Sequence, residues 1–372
     1  MTSALFIGLM SGTSMDGVDG VLIDLAPAGF LRIHAHAHQP YAPALREELL
    51  ALNRPGQNEL HRAALAGNAV AMAYAVVVES LLAQSATARE TVTAIGAHGQ
   101  TVRHRPLEFD GVGYTAQLLN GALLAERTRL PVICDFRSRD LAAGGQGAPL
   151  VPAFHHAAFA QPGRDTAVLN IGGIANLTLL PATGDVTGHD CGPGNVLLDL
   201  WCQRHTGQLL DHDGAWARQG RCDGKLLSAL LQDGFVQRRP PKSTGRDHYN
   251  ADWLDALLRS HPVALAVDVQ CTLAHFTAQA VAHSLTDHWS PPEALLVCGG
   301  GALNSFLMDC LRAALPNTRV QTIHQVSKLD PMHVEAAAFA WLAQAHVQRQ
   351  PGNLPAVTGA QSLRILGTCH PA

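Results

Sequence analysis

One turn design, used twice, constrains this chain more than any other feature. Near the start, Ile7-Gly8-Leu9-Met10-Ser11-Gly12-Thr13-Ser14-Met15-Asp16-Gly17-Val18-Asp19 leads from one apolar run into another. Far downstream, Leu169-Asn170-Ile171-Gly172-Gly173-Ile174-Ala175-Asn176-Leu177-Thr178 does the same. Each reads as strand, small-residue turn, strand. Small residues let a backbone approach a phosphate closely and let successive N–H groups point at it. Two such turns suit a grip on one polyphosphate from both sides. That points to nucleotide use by a two-lobed protein.

The elements around the turns repeat as well. Residues 4–10, 18–25 and 31–39 read as consecutive strands with short connections such as Pro27-Ala28-Gly29, hence antiparallel. Helices are expected over 43–52 and 59–84, then a buried strand over 91–97 ending at His98-Gly99-Gln100-Thr101. A helix over 120–127 and a strand over 131–136 complete the first set. Downstream, strands over 166–171 and 175–180 flank Gly172-Gly173, and 185–189 is the third strand. Helices follow over 196–204, 253–260 and 269–289. A strand over 294–297 runs into Gly299-Gly300-Gly301, before a helix from Asn304, a strand over 318–324 and a helix over 333–347. The order βββ-α-β-α-β, met twice, predicts an α/β protein of two duplicated lobes around a central cleft. The expected lobes are 1–140, with the tail 350–372 packed on it, and 141–349. The stretch 205–265, rich in charge, Gly and Pro, reads as an insertion on the substrate side or at an interface.

Composition narrows the partners. The 372 residues are 47% hydrophobic and 15% charged, which describes a globular chain with ample core. The net charge of −4, with no basic run and no row of aromatics, argues against nucleic acid. Met1-Thr2-Ser3-Ala4-Leu5 lacks a basic segment before the first apolar run, so no secretory signal is read there. No uninterrupted apolar stretch of about 18 residues is seen, so no spanning helix is expected. Eight cysteines without a C-x-x-C pair fit reduced, packed thiols and a cytoplasmic setting. His34, His36 and His38 alternate with alanine, so a strand puts all three on one face. A solvated outer face is the favoured reading over a metal stripe, because no carboxylate or cysteine completes a ligand set nearby.

Four polar segments could carry chemistry, and each has a plain alternative. Gly12-Thr13-Ser14-Met15-Asp16-Gly17 offers hydroxyls, amides and a carboxylate, Asp16, suited to Mg²⁺ through water; it is equally an ordinary hairpin. It is not a Walker A loop, having no Gly-Lys-Ser/Thr. Gly299-Gly300-Gly301-Ala302-Leu303-Asn304 exceeds what a strand-to-helix turn requires and suits a nucleoside lying on backbone, with Asn304 as helix cap or ribose contact. Asp190, in Asp190-Cys191-Gly192-Pro193-Gly194-Asn195, is either a general base at a strand tip or a turn cap. Asp135-Phe136-Arg137-Ser138-Arg139-Asp140, leading to Gly144-Gly145-Gln146-Gly147, offers an arginine for a carboxylate or a surface ion pair with Asp140.

Together these segments resemble the anhydro-N-acetylmuramic acid kinase family over nearly the whole chain. The resemblance rests on Gly8-Leu9-Met10-Ser11-Gly12-Thr13-Ser14-Met15-Asp16-Gly17, His98-Gly99-Gln100-Thr101 and the run Ala142–Pro152. It continues through Asn170–Thr178, Asp190–Asn195, Pro241-Lys242-Ser243-Thr244-Gly245-Arg246, Gly299–Asn304 and Glu335–Ala340. Cys191 departs from an expected threonine, and His333-Val334 stand before Glu335 where a lysine is commoner. The resemblance implies the ribonuclease H-like, actin-like ATPase fold, ATP with Mg²⁺, and 1,6-anhydro-N-acetylmuramic acid as substrate. It implies Asp190 as base and Asp16 at the metal. It places the nucleotide on Gly12, Thr13, Ser14, Met15, Asp16, Gly17, Val18, Asp19, Gly172, Gly173, Asn176, Gly299, Gly300, Gly301 and Asn304. It places the sugar on His98, Gln100, Arg137, Gln146, Gly194, Asn195 and Glu335. A cytoplasmic homodimer in cell-wall turnover is the accompanying expectation, with neither nucleic acid nor membrane as partner. Two other readings stand beside it: a kinase for another small sugar, and a nucleotide-switched actin-like binding protein.

Overall fold

A computed structural model describes residues 4–12, 14–25, 31–240, 242–245, 247–262, 265–286 and 289–372. Thr13, the Pro27-Ala28-Gly29 turn, Pro241 and Arg246 lie outside the described residues. In chain order the first six strands are β1 (Leu5–Ser11), β2 (Gly17–Leu25), β3 (Leu31–Pro40), β4 (Val92–Pro106), β5 (Gly113–Leu118) and β6 (Val132–Cys134). The next six are β7 (Thr166–Ile171), β8 (Ile174–Leu180), β9 (Thr187–Pro193), β10 (Ala294–Cys298), β11 (Arg319–Thr322) and β12 (Thr368–His370).

The chain folds as two compact units, Met1–Phe159 with His333–Ala372, and Ala160–Met332. Among the described residues the first unit carries a sheet ordered β12-β6-β4-β1-β2-β3, with β5 on β4. The second carries β11-β10-β7-β8-β9. In both, a three-stranded antiparallel meander continues into two parallel strands. The same order and the same strand senses, twice, are the duplicated ribonuclease H-like topology.

The units divide after Phe159, not at 140, and the chain returns at His333, not at 350. Packing explains both differences. The helix Val151–Phe159 sets Phe154 against Trp341 of the helix Val334–Val347, ring centroids 6.4 Å apart. That second helix lies on the first sheet. Gly8 and Gly96 are register partners on β1 and β4, and an added Cβ on either would strike the helix backbone, at Ala336 or at Phe339. Two glycines facing an Ala-rich helix thus let sheet and helix backbones approach closely. Phe339, 1% exposed, anchors the contact, and truncating such a side chain to alanine costs about 3–5 kcal/mol.

The other face of the first sheet packs on the helix Glu59–Ser85, whose Val70, Ala71, Tyr74, Val77, Val78 and Leu81 are buried. By length and composition alone this helix could cross a membrane, but 56% of its apolar window is buried inside the fold. Its buried face belongs to the core, with Ala35 and Ala37 of β3 in the same cluster. His34, His36 and His38 alternate with those alanines on the exposed face, as a solvated outer face requires. Two motif placements differ from expectation. The His98-to-Thr101 motif lies inside β4, which continues to Pro106, and Asp190 sits inside β9 and not at its tip.

Candidate active site

The first turn is held by side chains. Gln100, fully buried, donates from Nε2 to the Gly12 carbonyl at 3.0 Å, and its Oε1 accepts from the Ser11 hydroxyl. The Tyr41 hydroxyl, 2.8 Å from Ser11 Oγ, must then be the donor to it. His98 Nδ1 lies 3.1 Å from the Ser11 carbonyl. Met15 adopts φ 53° and buries its side chain in the core, while its N–H closes the turn on Gly12 O at 3.2 Å. Val18 is buried too, so Met15 and Val18 leave only backbone to meet a ligand. Gly17 is a glycine for β3's sake, since a Cβ would strike Gln39 O. Ser14 and Asp16 are exposed, joined by a 2.8 Å bond from the Ser14 hydroxyl to the Asp16 carboxylate. Asp19 pairs with His38 at 2.9 Å.

Beside this turn stands Arg137. One guanidinium nitrogen donates to Gly147 O at 2.7 Å and another to His98 Nε2 at 2.9 Å. Because both partners of His98 are fixed in role, its ring is neutral with the proton on Nδ1. Burial, then Arg137, pushes its pKa down to about 3. Burial lowers Arg137 to about 10, still charged, against the pull of Glu335 and Asp140. Glu335 is raised by burial, against Arg137. Asp140 does not form the surface pair that sequence left open. It is fully buried and accepts from Gly147 N, Asn353 Nδ2 and Thr358 Oγ1 at 2.7–2.8 Å, tying this loop to the C-terminal tail. Gln146 is exposed, its backbone N–H bound to Thr358 O.

The second turn is held by backbone. The N–H groups of Gly194, Asn195 and Val196, at the start of the helix Val196–Thr206, donate to the carbonyls of Gly173 and Gly172 at 2.8–3.1 Å. In a planar trans peptide the N–H points opposite to the C=O. The amides of Gly173 and Ile174 therefore face away from the helix, where an anion can meet them. Gly194 must be a glycine, because a Cβ would strike Gly172 O.

Ile171 and Asn195 join this turn to the glycine triplet. Gly299 has φ 76° and a Cβ there would meet Asn170 and Ile171; at Gly301 it would meet the Ile171 side chain. Gly300 has neither constraint: its nearest neighbours are Asn195 Nδ2 at 3.5 Å and Met332 Sδ at 3.9 Å. The surplus glycine is thus the one where an added Cβ would meet only ordinary van der Waals contacts. Asn304 caps the next helix, accepting from Leu307 N at 3.0 Å.

Asp190 stands in register with Asn176 across β8 and β9. Its Oδ2 accepts from Ser243 Oγ and Thr244 N, both at 2.9 Å, and its own N–H donates to Lys242 O at 3.2 Å. Among the described residues, Oδ1 carries no hydrogen bond. Burial raises the carboxyl's proton affinity, outweighing those two bonds and Lys242. Lys242 is itself buried, bonded to Phe235 O and Val236 O, and lowered by burial. Lys242, Ser243 and Thr244 carry the family resemblance in sequence, but no role is legible there for them. A polar run directly after paired prolines, inside an insertion, was the available signal. Ser11 and Asp140 stand inside motif runs without these roles, and Tyr41, a phenol outside any motif, has no sequence signal.

Two sets of expected residues are thus assembled. Gly12, Ser14, Asp16, Gly17, Asp19, His98, Gln100, Arg137 and Glu335 gather in the first unit. Gly172, Gly173, Asn176, Asp190, Gly194, Asn195 and the Gly299 triplet gather in the second. Among the described residues no three His, Cys, Asp or Glu side chains form a metal cage.

The family model described as anhydro-N-acetylmuramic acid kinase matches residues 4–372. A curated protein of that name from Variovorax paradoxus (strain S110) is 57% identical over 379 residues, covering 100% of both chains. Another, from Nitrosomonas europaea (strain ATCC 19718 / CIP 103999 / KCTC 2705 / NBRC 14298), is 47% identical over 367 residues, covering 99% of each. Among solved structures, the activator of the 2-hydroxyisocaproyl-CoA dehydratase from Clostridium difficile aligns at TM-score 0.45 and 14% identity, covering 93% of this chain and 96% of that one.

Proposed function

Because the chain belongs to the anhydro-N-acetylmuramic acid kinase family, we propose that Asp190 is the general base of its reaction. The enzyme is an ATP-dependent kinase that opens 1,6-anhydro-N-acetylmuramic acid and phosphorylates O6. ATP, water and the anhydro sugar give N-acetylmuramic acid 6-phosphate and ADP. Asp190 takes a proton from water as the water oxygen bonds to C1. The C1–O6 bond breaks, and O6 becomes the nucleophile for the γ-phosphate. ADP leaves with the electrons of the broken P–O bond. Ring opening thus creates the oxygen that is phosphorylated, and positioning does much of the remaining work.

The observation that carries this reading is the division of labour on one carboxylate. Asp190 Oδ2 is fixed by two donors and Oδ1 carries no hydrogen bond among the described residues. A raised proton affinity moves the group toward the working pH of a base. Gly12 to Gly17 and Gly172 to Gly173 hold phosphates, and the nucleoside lies over Gly300. Arg137 takes the lactyl carboxylate of the sugar, with Glu335 beside it. An exposed carboxylate next to a phosphate turn suits Mg²⁺, which commonly takes one or two carboxylates plus phosphate oxygens. Asp16 meets that description, and the ion would neutralise charge on the phosphates. The enzyme works as a cytoplasmic homodimer.

Product made in ¹⁸O-water tests the scheme. The label is expected at C1 and absent from the phosphate, with ADP release dependent on the anhydro sugar. Label in the phosphate would mean direct hydrolysis of ATP and would sink the coupled route.

A further inference from the structure

His98 is an odd residue to leave unexplained. It is 5% exposed, in mid-strand, and its ring packs on Phe339 with centroids 4.8 Å apart. Both ring nitrogens are used. Nδ1 donates to the carbonyl of Ser11, the residue entering the first turn, and Nε2 accepts from Arg137. A carbonyl can only accept and a guanidinium can only donate, so this bridge exists in one tautomer. Gln100, two residues on and past the irregularity at Gly99, holds the next carbonyl, Gly12 O. Arg137 has five N–H donors. Gly147 and His98 take two of its nitrogens, which fixes the plane and aim of the rest.

Resting on the reading that Arg137 binds the sugar's carboxylate, we propose that His98 is a positioning residue that couples sugar binding to the first turn's grip on ATP, touching neither ligand. A carboxylate on Arg137 adds bonds to the orientation that Gly147 and His98 already favour, and so strengthens it. The shared hydrogen bond passes that order through the imidazole to Ser11 O and the turn. The coupling is reciprocal, so ATP on the turn tightens the sugar by the same factor.

Two isosteric variants separate the two ends of the bridge. In His98→Asn the amide nitrogen takes the place of Nδ1, keeping Ser11 and losing Arg137. In His98→Gln the amide oxygen reaches the place of Nε2, keeping Arg137 and losing Ser11. The dissociation constant of a non-hydrolysable ATP analogue is measured with and without saturating anhydro sugar. Saturating sugar should tighten the analogue in the unmodified enzyme by about fivefold or more, the lower end of ordinary coupling. His98→Asn should bring that factor near one and weaken the sugar, with analogue affinity in its absence within about twofold of normal. His98→Gln should weaken the analogue and spare the sugar. Absence of coupling in the unmodified enzyme, full coupling in His98→Asn, or equal weakening of both ligands by both variants with a lowered unfolding midpoint would each overturn the proposal. Arg137→Ala separates the two claims. Unchanged sugar affinity there defeats the reading of Arg137. Lost sugar affinity there, with full coupling in His98→Asn, defeats the role of His98 alone.

Discussion

The two glycine turns look alike in sequence and are held by opposite means. The first hangs on side chains: His98 and Gln100 hold the carbonyls of Ser11 and Gly12, and the Ser11 hydroxyl, backed by Tyr41, holds Gln100. The second hangs on backbone: three N–H groups at one helix start take the carbonyls of Gly172 and Gly173. The first is therefore wired sideways into Arg137, whereas the second is wired through strand register into Asp190. A turn braced by side chains can report on what those side chains touch. A turn braced by a helix is a fixed platform. The first suits a coupled grip and the second a rigid seat beside Asp190, the proposed base.

The contrast is broken most severely at the glycine that the helix brace requires. Gly194→Ala drives a methyl into Gly172 O, backbone against backbone. It should cost about 3 kcal/mol in stability and abolish nucleotide binding. Gly12→Ala meets, among the described residues, nothing nearer than Ser14 Oγ at 3.6 Å and should stay within about 0.5 kcal/mol of normal. Calorimetry on both variants checks this. Equal losses would mean that the turns are braced alike.

Gln100→Ala should cost about 1 kcal/mol, since it removes one of two donors to the Gly12 carbonyl, leaving Met15 N–H, and takes the acceptor from the buried Ser11 hydroxyl. It should raise KM for ATP while leaving a fixed second turn unaltered. A variant with normal KM for ATP would show that the first turn does not need its side-chain brace.

Acid should act on the first unit ahead of the second. Burial, with Arg137 for His98, holds His98 and His155 down to about 3. A histidine lowered on folding contributes stability that is present above its unfolded value and is lost as pH falls through the window from about 6.5 to about 3. Each should cost about 1.4 kcal/mol per pH unit across that window. Hydrogen exchange should show β1 and β4 amides losing protection before those of β7 and β10. The reverse order would remove these histidines as the acid-sensitive element.

Much of this was legible before any coordinates. Alternating and continuous apolar runs with short glycine turns mark the strands, so the duplicated order and both turns could be read directly. Three things could not. The helix Val334–Val347 belongs to the first unit because Gly8 and Gly96 leave room for its backbone, a match between residues hundreds of positions apart. Asp190's partners, Ser243 and Thr244, come from an insertion that periodicity says nothing about. His98 and Gln100 look like ligand contacts in sequence because a polar motif after a buried strand has that appearance. Their hydrogen bonds turn inward, to the turn itself. Polar side chains that brace a site and polar side chains that fill it share one composition, and only geometry separates them.

The central claim is that Asp190 removes the water's proton. Asp190→Asn keeps an oxygen for Ser243 and Thr244 but cannot take that proton. Single-turnover formation of the sugar phosphate should fall about a hundredfold or more, with affinity for the ATP analogue unchanged. The unfolding midpoint at neutral pH should be no lower. A carboxyl raised on folding contributes stability below its ordinary range and loses it as pH rises through the raised value, so the amide is relieved of that cost. A folded variant turning over at nearly the normal rate would contradict the account.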